Sequence, residues 1–145
     1  MPFDLGRRTH AVLRIAAGFL FIQHGLQKLF GLFGGVQGTT VPLMSLLGVA
    51  GVLELAGGLF LIIGLFVRPI AALLVVEMIS AYFIQHVSMG GWPIQNQGEL
   101  ALLYAAVFVF LAGNGAGPLS VDEALSVSRT EERRHIKDRR HPVAA

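Results

Sequence analysis

The sequence predicts an all-α fold, an integral membrane four-helix bundle with both the N- and C-termini cytoplasmic. Hydrophobic residues make up 54% of the 145 residues and charged residues only 14%, whereas soluble domains carry about 25% charged residues. A membrane span requires roughly 20 apolar residues, so this length accommodates four spans with short loops. Six of the eleven Lys and Arg residues lie in the last seventeen positions. The chain is therefore divided into a membrane domain, 1–122, and a basic cytoplasmic tail, 123–145.

Glycine and proline mark where the predicted spans begin and end. A glycine-rich stretch follows the first span, and Pro42 suits the start of the second. Pro69, in a tight turn, suits the start of the third, and Trp92 in the next loop suits an anchor at the membrane interface. The first span lacks the small residues of a cleavage site, so it is predicted to be retained. The four predicted spans are about 11–33, 43–66, 70–89 and 99–113.

The distribution of Lys and Arg predicts the orientation. Arg7, Arg8, Arg68 and the basic tail fall on one side of a four-span chain, and the loops after the first and third spans carry no Lys or Arg. Because basic segments tend to stay in the cytoplasm, both termini are predicted to lie there. The basic residues lie beside apolar spans, which indicates that they interact with anionic membrane lipid and not with nucleic acid.

The basic tail has the pattern of a helix start. Ser120 and Glu123 have the spacing of a capping box, so a helix is predicted to run from there into 129–140. The tail is interpreted as a solvated segment that fixes the membrane orientation. A second interpretation is a helix that docks on a lipid surface or on a partner protein.

Six ionisable side chains lie inside the predicted spans and are the strongest indication of function. A charge at the centre of a membrane helix costs roughly 2.5–3.5 kcal/mol on insertion scales. Such residues are therefore expected to have a polar partner, contact with water or a functional role. Under the predicted orientation, four of them share the outer half of the bundle, with a fifth beneath them. These five are candidates for ligand binding and proton relay: His24, Lys28, Glu54, His86 and Glu99.

The sixth residue, Glu77, and Arg14 are interpreted as structural polar residues. Glu77 lies nine positions before His86, which puts the two on opposite sides of a regular helix at about 100° per residue. Unless the helix is irregular, Glu77 is therefore predicted to stand apart from the cluster, where it is protonated and neutral, faces another subunit or pairs with Arg14. Arg14 is predicted to extend its side chain to the cytoplasmic interface.

Five short motifs, in order and at fitting intervals, resemble the DoxX family. They cover about residues 14–122. The motifs are 24–31, 53–58, 68–72, 98–101 and 115–122. The resemblance implies a four-helix protein of the bacterial inner membrane with multiple spans, and it implies a link to quinone-dependent or multi-protein redox complexes. The chain has no cysteine, so thiol-based redox chemistry is excluded.

Four functions fit the predicted cluster, and enzymatic activity is left open. The first is a membrane subunit of a redox system that holds a quinone, with His and Lys as hydrogen-bond donors and a carboxylate as the proton route. The second is a non-enzymatic membrane anchor for soluble oxidoreductases, with Lys28 paired with Glu99 and Glu54 bonded to a histidine. The third is a haem site with His24 and His86 as ligands, although no dedicated metal site is predicted. The fourth is a small transporter, which needs an oligomer.

The expected assembly is a homo-oligomer or a complex with other redox proteins. A haem would need ligands from two helices, and a transport pathway would need more than four helices. The sequence leaves the assembly and the physiological electron donor open.

Overall fold

The computed structural model describes residues 5–140, and it describes side chains as far as Glu132. The helix of the basic tail continues to Arg140, but the side chains of residues 133–140 lie outside the described part. Residues 1–4 and 141–145 lie outside it altogether. In residues 5–140 the chain is helical and contains no β-strand. The helices are α1 Leu5–Phe30, α2 Leu46–Ile63, α3 Val67–Ala81, α4 Pro93–Asn96, α5 Glu99–Asn114 and α6 Val121–Arg140.

Four long helices form the predicted bundle as two antiparallel hairpins. α1 packs along α2, and α3 packs along α5, while a tight turn joins α2 to α3. The backbones of α1 and α2 touch at glycines. A Cβ atom on Gly58 would lie 2.7 Å from the carbonyl oxygen of Gly18, and one on Gly25 would lie 2.7 Å from that of Gly51. Small residues permit such close approach between membrane helices, so this interface depends on glycine.

The exterior of the bundle is apolar. Large hydrophobic side chains such as Phe19, Val76 and Leu103 expose 59%, 62% and 62% of their surface. Two helical segments, Leu46–Ile63 and Val67–Met89, are long and apolar enough to cross a membrane, and Glu99–Asn114 is a shorter apolar helix. An apolar exterior is costly in water and suits contact with lipid.

Two helix starts differ from the predicted ones by a few residues. α2 begins at Leu46 rather than at Pro42, because the Ser45 hydroxyl caps the helix by accepting the backbone N–H of Gly48 at 3.0 Å. α3 begins at Val67, so Pro69 lies in its first turn rather than at its first position. Proline is tolerated there, since the first backbone N–H groups of a helix have no intrahelical acceptor.

The predicted third span is irregular at its end. α3 stops at Ala81, and the chain continues through a π-helical turn, Tyr82–His86, and a 3₁₀ turn, Val87–Met89. A π-helical turn holds more residues than an α-helical turn, so His86 is rotated back around the helix axis. Glu77 and His86 consequently face the same cavity, and the prediction that Glu77 stands apart is wrong.

Arg14 is fully buried, so the prediction that it reaches the membrane interface is wrong. Its guanidinium donates hydrogen bonds to five backbone carbonyls. Those of Leu61 and Ile62 belong to the last turn of α2, where carbonyls lack intrahelical partners and carry partial negative charge. The other acceptors lie in the connection between α5 and α6: Ala116, Pro118 and Leu119.

Asp122 joins the start of α6 to the turn between α2 and α3. Its carboxylate accepts the backbone N–H groups of Phe66 at 2.9 Å and Val67 at 3.0 Å, and thereby caps the N-terminus of α3. The capping box of α6 is confirmed on its N-cap side, because the Ser120 hydroxyl accepts the N–H of Glu123 at 3.2 Å. This end of the bundle is called the Arg14 end below.

Candidate functional site

The ionisable residues of the bundle line one cavity of about 500 Å³. It lies away from the Arg14 end and is called the polar cavity. α2 and α3 form two of its walls, and α1 and α5 form the others. Its ionisable side chains come from every long helix of the bundle and from the π-helical turn: His24, Lys28, Glu54, Glu77, His86 and Tyr104.

The rim of the polar cavity is apolar. Val49 from α2, with Leu73 and Val76 from α3 and Ile84 beyond it, line the cavity and are exposed on the outside of the bundle. Their exposed fractions range from 45% for Leu73 to 62% for Val76. The cavity therefore opens between α2 and α3 onto the surface that would meet lipid.

Lys28 and Glu54 form an ion pair across the interface of α1 and α2. Glu54 is only 2% exposed, and one of its oxygens, Oε2, has no hydrogen-bond partner among the described residues. The predicted pairing of Lys28 with Glu99 and the predicted bond between Glu54 and a histidine are therefore wrong. The physical reason is helix pairing, since α1 packs closely along α2 but has little contact with α5.

Glu77 is the side chain of the cavity with the most buried polar atoms that lack a hydrogen-bond partner. Both of its carboxylate oxygens are buried and lack a hydrogen-bond partner among the described residues. Its predicted alternative partner, Arg14, is committed to backbone carbonyls at the other end of the bundle. Glu77 thus belongs to the candidate site, although it was predicted to be structural.

Glu99 is the one candidate of the predicted cluster that does not line the polar cavity. It is exposed in the first turn of α5. Ala101 and Tyr104 of the same helix are buried and line the cavity, and at about 100° per residue Glu99 points well away from both. An acidic residue in the first turn is stabilised there by the helix dipole.

His86 is held in one tautomer by a buried asparagine. Its Nδ1 lies 2.9 Å from the backbone carbonyl oxygen of Asn96. Because a carbonyl only accepts, Nδ1 must carry the hydrogen, and in the neutral ring Nε2 is then an acceptor. Asn96 is 1% exposed, donates to the carbonyl of Gly90 at 2.9 Å and accepts the N–H of Gly98 at 2.9 Å.

Aromatic rings form the inner wall of the polar cavity. The ring of Tyr104 lies 6.0 Å from that of His24 and 5.1 Å from that of Phe21, measured between centroids. Tyr104 is 8% exposed. Neither Tyr104 nor Asn96 was among the predicted site residues. The available signals were a single tyrosine in an otherwise apolar span and an asparagine two residues before a glycine, and both are weak.

A second cavity, of about 850 Å³, lies at the Arg14 end. Arg7 and Arg68 bring positive charge to it, and Asp122 and Glu123 bring negative charge. Both carboxylates are already engaged, since Glu123 pairs with Arg7 and Asp122 caps α3. The cavity is best explained by the junction of helix ends.

No group of three or more His, Asp or Glu side chains within the described residues is arranged to hold a metal ion. His24 and His86 both line the polar cavity. Haem ligation by these two histidines stays a prediction, and Nδ1 of His86 is occupied by Asn96.

Comparison with known proteins identifies the family. The model of the DoxX family matches residues 9–87. The chain belongs to the DoxX family. That match runs from within α1 to the end of the π-helical turn and includes every ionisable residue of the polar cavity except Tyr104, namely His24, Lys28, Glu54, Glu77 and His86. The resemblance and the helical membrane character expected from the sequence are thereby confirmed for this DoxX protein.

Three curated relatives are similar to this DoxX protein over most of their length. An uncharacterized protein of Haemophilus influenzae is 42% identical over 119 residues, which cover 77% of this chain and 87% of the relative. The inner membrane protein YphA of Escherichia coli is 28% identical over 135 residues, 83% of this chain and 94% of the relative. The Bacillus subtilis protein CatD, provisionally assigned as an oxidoreductase, is 28% identical over 122 residues, which cover 83% of this chain and 87% of the relative. No solved structure matches.

Proposed function

We propose that this DoxX protein is a membrane subunit of a redox system and that its polar cavity binds the ring of a quinone. The observation that carries this proposal is the combination of a charged interior with an apolar rim that opens between α2 and α3. A cluster that only held helices together would not need a cavity. The provisional oxidoreductase assignment of CatD supports the redox part of the proposal.

The size and shape of the polar cavity suit a ring with an apolar tail. Its volume of about 500 Å³ falls within the range of roughly 300–1,000 Å³ that small-molecule sites occupy. A ring bound near Lys28 and Glu77 would leave its tail between Val76 and Ile84, on the lipid side of the rim. Entry from the membrane would then need no opening to water.

The side chains of the cavity can both bind a quinone and exchange protons with it. The Lys28 ammonium and the Tyr104 hydroxyl are hydrogen-bond donors for a carbonyl oxygen. Carboxylates and imidazoles accept and release protons near neutral pH when their surroundings are suitable. Glu54, Glu77 and His86 therefore supply a route for the protons that accompany quinone reduction or quinol oxidation.

The test uses a pair of matched cavity variants reconstituted in nanodiscs. Ala50 lines the polar cavity on α2, whereas Ala56 is exposed on another face of the same helix. We expect Ala50→Phe to fill part of the cavity and to weaken binding of decylubiquinone at least ten-fold (about 1.4 kcal/mol). Ala56→Phe should leave binding unchanged. Equal binding by both variants, each monodisperse and helical, would remove the basis of the proposal.

We further propose that the protein lies in the bacterial inner membrane with four spans and both termini in the cytoplasm. The support is the distribution of basic residues and the similarity to YphA, which is named an inner membrane protein. The chain has no cysteine, so single-cysteine variants report the topology directly. A membrane-impermeant maleimide applied to spheroplasts should label Thr40→Cys and spare Ser128→Cys until the membrane is opened. The reverse pattern would invert the orientation.

A non-enzymatic anchor is the second candidate. α6 continues to Arg140 and its described side chains beyond Leu125 are exposed, which offers a surface for a soluble partner. Truncation after Asp122 should then release a co-purified oxidoreductase from solubilised membranes. The quinone proposal expects binding of decylubiquinone to survive that truncation, so the two functions are separable.

A further inference from the structure

The hydrogen-bonding groups of the polar cavity are unevenly satisfied. Three buried side-chain oxygens lack a partner within the described residues, and all three are carboxylate oxygens: Oε2 of Glu54 and both oxygens of Glu77. Glu54 is 2% exposed and lines the cavity. Unsatisfied buried acceptors are costly, so a ligand that supplies hydrogens would relieve that cost.

The cavity also holds donors, among them the Lys28 ammonium and the Tyr104 hydroxyl, but none of them bonds to these three oxygens. The Lys28 ammonium is paired with Glu54, which leaves the second carboxylate without a cation of its own. His86 donates through Nδ1 to the carbonyl of Asn96, so its Nε2 is a further acceptor in the neutral ring. The three carboxylate oxygens are therefore acceptors that the donors of the cavity leave unsatisfied.

We propose that the polar cavity selects the reduced, hydroxyl-bearing form of its ligand, a quinol, and that Glu77 accepts a hydrogen bond from one of the two hydroxyl groups. This inference rests on the proposed quinone function and adds the redox state of the ligand that is bound more tightly. The two hydroxyls of a quinol lie at opposite ends of the ring. One of them reaches Glu77, and the other meets the acceptors contributed by Glu54 or His86.

A quinone is the weaker ligand for the same physical reason. Its two carbonyl oxygens only accept hydrogen bonds, and beside Glu77 they would face further acceptors. With a quinone bound, the Glu77 oxygens would stay buried without a hydrogen-bond partner, and such groups are costly. We therefore expect the oxidised form to bind at least ten-fold more weakly (about 1.4 kcal/mol).

The test compares three ligands with the same ring and tail on the full-length protein in nanodiscs, under anaerobic conditions. They are decylubiquinol, decylubiquinone and the dimethyl ether of decylubiquinol, which has no hydroxyl hydrogens. Calorimetric titration should give at least ten-fold tighter binding for the quinol than for the other two. If the quinone binds as tightly as the quinol, this inference fails while the proposed function stands. If none of the three binds, both fail.

Two variants assign the preference to Glu77. Glu77→Gln keeps the shape of the side chain and removes its charge, and it should reduce the preference for quinol to less than three-fold. Glu99→Gln makes the same change at the exposed carboxylate outside the cavity and should keep the full preference. Loss of preference in both variants, or in neither, would overturn the role of Glu77. Unchanged helicity and a single monodisperse species establish that the variants are folded, and the wild-type ligand comparison is independent of them.

Discussion

Lys28 of α1 and Glu54 of α2 form an ion pair at the base of the polar cavity. Their side chains are 17% and 3% exposed, so the pair is largely removed from water. It lies beside the close contact of Gly25 with the backbone of α2. The pair therefore joins the most tightly packed helix interface of the bundle to the candidate site.

Removal of Lys28 should destabilise the bundle more than removal of both members of the pair. Lys28→Met leaves Glu54 buried without a counter-ion, which in buried pairs costs about 3–5 kcal/mol. The double variant Lys28→Met with Glu54→Leu should recover most of this loss. Thermal unfolding in detergent, followed by circular dichroism, measures both. Equal destabilisation by the single and the double variant would contradict a structural contribution of the pair.

Alanine at Gly25 should loosen the interface of α1 and α2. A Cβ there would lie 2.7 Å from the Gly51 carbonyl oxygen and 2.7 Å from the Leu55 nitrogen, and overpacking of this kind costs about 1–3 kcal/mol. Gly113→Ala is the control, because a Cβ at Gly113 meets nothing within 4 Å. It should be neutral or stabilising by about 0.5–1 kcal/mol, as for glycine in a helix. Chemical unfolding in detergent compares them, and equal effects would refute the close contact.

Replacement of Arg14 by lysine should destabilise the Arg14 end although the charge is kept. An ammonium group has three hydrogens and cannot satisfy the five carbonyls that the guanidinium binds, so we expect a loss of about 3 kcal/mol or more. Arg68→Lys is the matched control. Arg68 is exposed at the same end and forms no ion pair or hydrogen bond with any residue that the structure describes. A change of about 1 kcal/mol shifts the unfolding temperature by several degrees. If the unfolding temperatures of the two variants differ by less than about 1 °C, the hydrogen bonds from Arg14 to the carbonyls do not stabilise the bundle.

Removal of the Asp122 carboxylate should fray the start of α3. Asp122→Ala leaves the N–H groups of Phe66 and Val67 without their acceptor, and the loss of a helix cap costs about 1–2 kcal/mol. Glu131→Ala changes an exposed carboxylate on α6 and should have no effect. Hydrogen exchange by mass spectrometry should show faster exchange in the first turn of α3 for the first variant alone. Unchanged exchange there would mean that another group caps the helix.

Local sequence patterns predicted the helices well because helix formation depends on neighbours along the chain. Apolar blocks of sufficient length, glycines between them and the Ser120 capping box all lie within a few residues of the features that they predict. The family followed from five ordered motifs for the same reason. The start of α3 was misplaced by two or three residues because Asp122, distant in sequence, caps it.

The members of the candidate site were predicted less well, because a helix face is determined by the accumulated rotation of every preceding residue. The π-helical turn at Tyr82–His86 brings His86 onto the side of Glu77, and nothing in a regular periodicity indicates such a turn. Glu99 was placed in the site on depth alone, but the buried face of α5 is the one that contains Tyr104.

The sequence by itself determined that this chain is a DoxX-type helical membrane protein and that charged residues interrupt its spans. Those properties depend on composition and on short motifs. Only the tertiary structure decided that Lys28 pairs with Glu54, that Arg14 binds carbonyls rather than a carboxylate, and that Glu77 takes the place expected for Glu99. The partner of a buried charge depends on which helices pack together and on which face each one presents, and both are properties of the assembled bundle.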